Sequence, residues 1–387
     1  SDGTISWQDS FSLETQAEFE FCLYQLFYEG LVATDPHVTC QALNPFFISL
    51  VVFVLCFLGL SLHFIFATVY TWQSHCSATT THDAAVLVVM PVLDEGTEAL
   101  STTIDSVLES DHPRRCLMVI VDGIMIAKGA SGISAELCGK ILGFDAKVDH
   151  DVCYSYQCAA QQVENYASVY YGTYEKQVRG RVRELPFCVI AKRGIPQERN
   201  RYKAGSRGIR DSRLLIAGML NRIHHRRQPY PLDSMIAKCL YRLDVPAKEF
   251  DFLWFVQPEA QVEKSALSHM VNTMVRDPYL VACRGETLVS NPTASWVSMM
   301  QSFTNFQQCH LIQASQWGSV SSLPTNLALF RIVDPDTSTV LVHDHVLQAY
   351  SLPYTQSLHL QNLLQGNDDH VLANLLLQTF PQSTVRW

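Results

Sequence analysis

Asp122 closes the apolar run CLMVIVDG, residues 116–123. A carboxylate at the carboxyl end of a parallel strand is placed to hydrogen-bond a base or a ribose, and the competing reading of Asp122-Gly123 is a plain turn. Downstream, ERNRYKAGSRGIRDSR (198–213) sets Arg207 and Arg210 on either side of Gly208. Guanidinium groups beside a glycine can grip a diphosphate in a bidentate way, whereas the bland alternative is a solvated basic face. Asn367-Asp368-Asp369 stands before the apolar pattern HVLANLLLQTF, where on local grounds it reads as a helix cap. His343-Asp344-His345 offers two imidazoles that share a face only in a strand, with no third ligand evident. Cys153 and Cys158 lack a second pair at zinc spacing, so neither group is expected to hold a metal. Trp296 and Trp317 could stack on sugars, but core or membrane-interface roles are the commoner ones.

These groups need a scaffold, and the apolar runs describe one. Residues 84–92 and 116–123 read as buried parallel strands joined by a helical GTEALSTTIDSVLES, a βαβ unit. Further strands are expected at 185–192, from Phe250, at 279–287 and at 327–333, with helices at 211–222, 231–241 and 368–380. The fold class is therefore α/β. No internal repeat, G-x-G-x-x-G fingerprint or P-loop is present, which disfavours a dinucleotide enzyme or an NTPase.

The chain has 387 residues and a net charge of -9, which argues against general nucleic-acid binding. Its charge is uneven: no Lys or Arg precedes Arg114, and 15 of the 28 fall between Lys176 and Arg227. Residues 45–71 carry no Asp, Glu, Lys or Arg and are long enough to cross roughly 30 Å of hydrocarbon, so a transmembrane helix is expected there. Residues 1–44 mix acids with aromatic residues, as an amphipathic segment does, and the domain proper is expected over 84–387. The positive-inside tendency puts the basic domain in the cytosol. Most cysteines then lie on the reducing side as core fillers, while Cys22 and Cys40 lie where a disulfide is possible. Because it starts at Ser1 without Met, the sequence reads as part of something longer.

In order, the chain contains PVLDEG, VIVDG, YASVYYGTYE, ERNRYKAGSRGIRDSR, ACRGETLVSN, SWVSMMQSF, WGSVSSLPTNLALFRI and QGNDDHVLANLL. This series resembles fungal chitin synthases, family 2 glycosyltransferases of the GT-A fold, a Rossmann-like arrangement with a mostly parallel sheet. The resemblance implies UDP-GlcNAc as donor, with Asp122, Pro91 and Glu95 around the uridine. Arg207, Gly208, Arg210, Asp211 and Ser212 match the family's GNRGKRDSQ loop; Ile209 replaces a Lys and Arg213 a Gln. It also implies Mg²⁺ or Mn²⁺ on an Asp-Ala-Asp motif, and here that stretch reads Gln257-Pro258-Glu259-Ala260, leaving Glu259 alone. Gly366, Asn367, Asp368 and Asp369 stand at the family's Gly-Glu-Asp-Arg, which makes Asp368 the presumptive base with an acid as its neighbour. Of the acceptor motif Gln-Arg-Arg-Arg-Trp, only Arg386 and Trp387 match; in the family, helices that conduct the polymer come after that motif.

The expectation is a chitin-synthase-like UDP-GlcNAc glycosyltransferase domain with impaired catalysis, at the plasma membrane. It would serve as a partner or regulatory subunit of an active chitin synthase, or as a homo-oligomer, binding UDP or UDP-GlcNAc. Two alternatives stay open: an active metal-dependent processive enzyme extending a β-1,4 chain, and a membrane scaffold that binds no sugar nucleotide.

Overall fold

The computed structural model describes residues 44–75, 82–124, 133–146, 152–158, 163–178, 180–198, 203–315, 327–333, 340–351, 368–381 and 384–386. The amphipathic segment, Cys22 and Cys40, Trp317, Gly366, Asn367 and Trp387 lie outside them.

Helix α1, Asn44–His75, contains a stretch from Ser49 to Phe66 with a mean hydropathy of 2.5. It is the one helix among the described residues that is long and apolar enough to cross a membrane. Its hydroxyls fold back on their own helix: Ser61 Oγ donates to the Phe57 carbonyl and Thr68 Oγ1 to that of Phe64, both at 2.8 Å. Such i−4 bonds satisfy both hydroxyl donors within the helix itself.

The remaining chain forms a sheet with helices on both faces. Its strands are β1 (Ala85–Val92), β2 (Arg115–Val121), β3 (Cys153–Gln157), β4 (Glu164–Val178), β5 (Arg181–Lys192), β6 (Phe250–Phe255), β7 (Leu280–Arg284), β8 (Ala328–Arg331) and β9 (Thr384–Arg386). They lie in the order β3-β4-β5-β2-β1-β6-β8-β7-β9. The central strands β5, β2, β1 and β6 run parallel, so their carboxyl ends open on one edge. β3 and β4 extend one side antiparallel, and β8 reverses direction on the other.

β1 and β2 are buried along their whole length, which explains runs without polar alternation. Odd residues of β1, such as Leu87 and Val89, pack on α4 (Ile209–His224), α5 (Pro231–Arg242), α8 (Asp344–Tyr350) and α9 (Asp368–Thr379). Even residues, such as Val86 and Val88, pack on α2 (Thr97–Glu109), α3 (Ser134–Leu142) and α6 (Ala266–Arg276). α7, Trp296–Ser315, is inverted: Ser298 and Cys309 are buried while Trp296, Met299, Met300 and Phe303 are exposed.

The strands and helices expected from the sequence are present, with ends shifted by a few residues. β4, the first strand of the long β4–β5 hairpin, is not among the strands expected from the sequence, because small and polar residues interrupt its apolar pattern and it ends in Glu175, Lys176 and Gln177. His343-Asp344-His345 forms the start of α8, not a strand. His343 Nδ1 accepts from the His345 backbone N–H, and Asp344 pairs with Arg227.

Candidate active site

The carboxyl edge of the central strands gathers most of the residues singled out in the sequence. The Asp122 N–H donates to the Val92 carbonyl at 2.8 Å, which ties the end of β2 to that of β1. After β5, the chain passes Gly194 and returns as residues 203–208 across the end of β2. A Cβ on Gly123 would stand 2.6 Å from the Ser206 nitrogen and 2.7 Å from the Ala204 oxygen, so only glycine admits this crossing. Its φ of 90° adds the same requirement.

Asp122 fastens that loop. Oδ1 accepts from Lys192 Nζ at 2.7 Å and from the Arg207 N–H at 3.1 Å; Oδ2 accepts from Ser206 Oγ at 2.6 Å and from the Gly208 N–H at 2.8 Å. Gly208 is the N-cap of α4, so this carboxylate fills the anion seat of a helix N-terminus. It is wholly buried. The carboxylate that the resemblance puts against the uridine is engaged by its own chain here, and its bonds hold the basic loop.

Lys192 is the residue that sequence reasoning missed. Its ammonium donates to Asp122 Oδ1 and Asp211 Oδ2, each at 2.7 Å, and to Ser212 Oγ at 2.9 Å, which uses all three N–H bonds. Burial acts to lower its pKa, but Asp211 and Asp122 outweigh that and raise it. Burial likewise acts to raise the Asp122 pKa, and the Lys192 charge with the surrounding donors holds it below the usual range. The network continues outward, since Tyr156 Oη donates to Asp211 Oδ2 at 3.3 Å and Asn165 Nδ2 donates to Tyr156 Oη at 2.8 Å. Asn165 Nδ2 also reaches the Gly205 carbonyl at 3.2 Å. Burial, followed by the Asp211 charge, pushes the Tyr156 hydroxyl well up. A signal was available in LPFCVIAK: a lysine ending an apolar strand must find carboxylates if it stays buried.

The other candidates fall in three places. Arg207 is mostly buried, and one of its nitrogens donates to both Glu198 oxygens at 2.9 Å. Arg210 points elsewhere, donating through Nε to the Tyr350 carbonyl at 2.9 Å and lying 4.7 Å over the Tyr350 ring. Asp211 is buried against Lys192. Pro91 is buried in β1, and Glu95 is half-buried in the turn after it, its Oε2 accepting from the Leu93 N–H at 2.6 Å. Burial raises the Glu95 pKa, with Asp94 and Glu259 adding to the effect. Glu259 itself is exposed in the turn after β6, while its neighbour Pro258 is buried and accepts from Thr103 Oγ1 at 2.8 Å. Asp368 opens α9, and Arg386 lies on β9 in register with Cys283 of β7.

A family model described as chitin synthase matches residues 62–387. The chain belongs to the chitin synthase family. Chitin synthase 6 of Mycosarcoma maydis is 30% identical over 391 residues, covering 98% of this chain and 32% of that protein. Chitin synthase 5 of Cryptococcus neoformans var. grubii is 32% identical over 371 residues, covering 93% and 18%. For chitin synthase 5 of Pyricularia oryzae the values are 30%, 373 residues, 95% and 20%. The chain thus spans a fifth to a third of the length of these relatives. Among solved structures, the mannosyltransferase PcManGT of Pyrobaculum calidifontis, in complex with GDP-Man and Mn²⁺, aligns with a TM-score of 0.37 and 12% identity, covering 84% of this chain and 62% of that one.

The divalent cation implied by a chitin synthase can be tested against the donors present. Gln257 brings a neutral amide and Glu259 one carboxylate, both exposed, and one Glu95 oxygen is engaged by backbone. Among the described residues, no group of three or more His, Cys, Asp or Glu side chains is arranged to hold a metal ion. Mg²⁺ keeps waters yet needs carboxylates to offset its dehydration. This set does not fit it.

Proposed function

We propose that this chitin synthase family domain is catalytically impaired and works as a partner or regulatory subunit in chitin synthesis, binding UDP or UDP-GlcNAc without a divalent cation. The observation that carries the reading is the contrast along one edge. The loop bearing Arg207 is held by the buried Asp122, Lys192 and Asp211, whereas the stretch that should hold a metal is Gln257 and Glu259, exposed in a turn. Glu95 and Arg207 are the groups that would face the nucleotide. In this reading α1 spans the plasma membrane and the domain is cytosolic.

A second reading, an active processive transferase, draws on Asp368 at the first residue of α9, where a base at the head of a helix is expected. Calorimetric titration of the full chain with UDP and UDP-GlcNAc, with and without Mn²⁺, separates the two. Binding whose affinity ignores Mn²⁺, with no UDP released in the presence of acceptor, supports the impaired subunit. Metal-dependent binding with UDP release supports the enzyme, and no binding at all favours the scaffold.

A further inference from the structure

Along the outer side of α4 runs a groove of about 470 Å³, within the roughly 300–1,000 Å³ of small-molecule sites. It lies on the helical face of the sheet bearing α4, α5 and α8, and none of Glu95, Arg207 or Glu259 lines it. Its floor is apolar, from Leu214, Leu215 and Gly218 on α4. Its walls are polar and come from β3, the start of α5, and α8.

The charges in those walls are already matched. Arg222 donates through Nε to Asp233 Oδ2 at 2.6 Å and through a terminal nitrogen to Oδ1 at 3.1 Å. Arg227 pairs with Asp344, which also accepts from Asn221 Nδ2 at 2.8 Å. An anion entering the groove meets guanidinium groups whose charge a carboxylate already offsets, and a cation meets carboxylates already offset by a guanidinium, so neither finds a net counter-charge. A neutral ligand needs none. It meets the second lone pairs of the carboxylates, the amide of Gln348, exposed on α8, and the Tyr230 hydroxyl, which donates to Gln157 Oε1 at 3.1 Å. Hydroxyls in a row on one side and C–H faces on the other suit polar walls above a leucine floor.

We propose that this groove is a binding site for a short neutral saccharide, separate from the nucleotide edge. Asp211 and Tyr156, which line it, belong to the network behind the Arg207 loop, but neither Glu95 nor Arg207, the groups proposed to face the nucleotide, lines it.

The test uses the full chain in a sugar-free detergent, with cellobiose and β-1,4-linked di-N-acetylglucosamine as probes and inorganic phosphate as the charged control. Saturation-transfer NMR and calorimetry read binding, and UDP is titrated into the same samples so that the two sites report separately. At least one disaccharide is expected to bind. Gln348→Trp fills the groove from an exposed position without removing a side-chain hydrogen bond, and weakens that binding about tenfold or more. Tyr230→Phe, which deletes one oxygen, weakens it several-fold, and Arg207→Ala leaves it unchanged. The proposal is overturned if neither disaccharide binds, if phosphate competes with them, or if Gln348→Trp, with an unchanged melting temperature, binds as the parent does.

Discussion

Lys192 Nζ stands 2.7 Å from Asp122 Oδ1 at a point that solvent does not reach. The pair joins the end of β5 to the end of β2, and through both carboxylate oxygens of Asp122 it orders the loop that starts α4. With Asp211 included, two carboxylates share one ammonium, and the N–H groups of Arg207 and Gly208 help offset the excess negative charge.

Lys192→Met should therefore destabilise the domain by about 3–5 kcal/mol, since it leaves uncompensated charge in the interior. Urea unfolding measures it. Adding Asp122→Asn and Asp211→Asn removes the stranded charges and should recover part of the loss. A single Lys192→Met variant as stable as the parent would disprove the cluster's structural role.

Stability should fall in acid because of Asp122. Its folded pKa lies below the unfolded value of about 3.9. Its contribution is therefore complete above that unfolded value and is lost as pH falls through the folded one. Asp122→Asn should flatten this limb of the stability profile between pH 5 and the acid transition, in roughly the window the linkage relation sets. Melting temperatures against pH, compared for parent and variant, decide the matter.

Glu95 should act in the opposite sense. Its folded pKa is raised above the unfolded value of about 4.3, so the native state holds the proton more tightly and stability declines as pH rises between the two values. Glu95→Gln retains an acceptor for the Leu93 N–H and removes that decline. Equal slopes for parent and Glu95→Gln would show that this carboxyl is not perturbed.

Mn²⁺ should change UDP affinity by less than about twofold in the parent, well under the 1.4 kcal/mol of a tenfold change. Gln257→Asp places a second carboxylate beside Glu259 and should introduce a measurable Mn²⁺ dependence. Calorimetry on both proteins is the check, and strong Mn²⁺ dependence in the parent would end the impaired reading.

Glu198→Gln should tighten UDP binding several-fold, because it releases the Arg207 guanidinium from the carboxylate that now holds it. Arg207→Ala should weaken binding by about tenfold. If both variants match the parent, Arg207 does not face the nucleotide.

Much of the fold was legible in the residues themselves. AAVLVVMPV and CLMVIVDG read as buried parallel strands, because each is a short apolar run closed by Pro91 or by Asp122-Gly123, and the span from Pro45 to Thr71 reads as an apolar helix. The motif series, from PVLDEG to QGNDDHVLANLL, carried the family. The replacement of Asp-Ala-Asp by Gln257-Pro258-Glu259 was equally plain, since side-chain chemistry does not depend on folding. Tertiary structure alone decided how the acidic and basic groups pair. Asp122 and Lys192 are 70 residues apart, and nothing local indicates that the carboxylate at the end of β2 meets the ammonium at the end of β5. That meeting follows from adjacent parallel strands ending on one edge, and from Gly123 and Gly205 letting the returning loop cross it closely enough for Asp122 to occupy the N-terminus of α4.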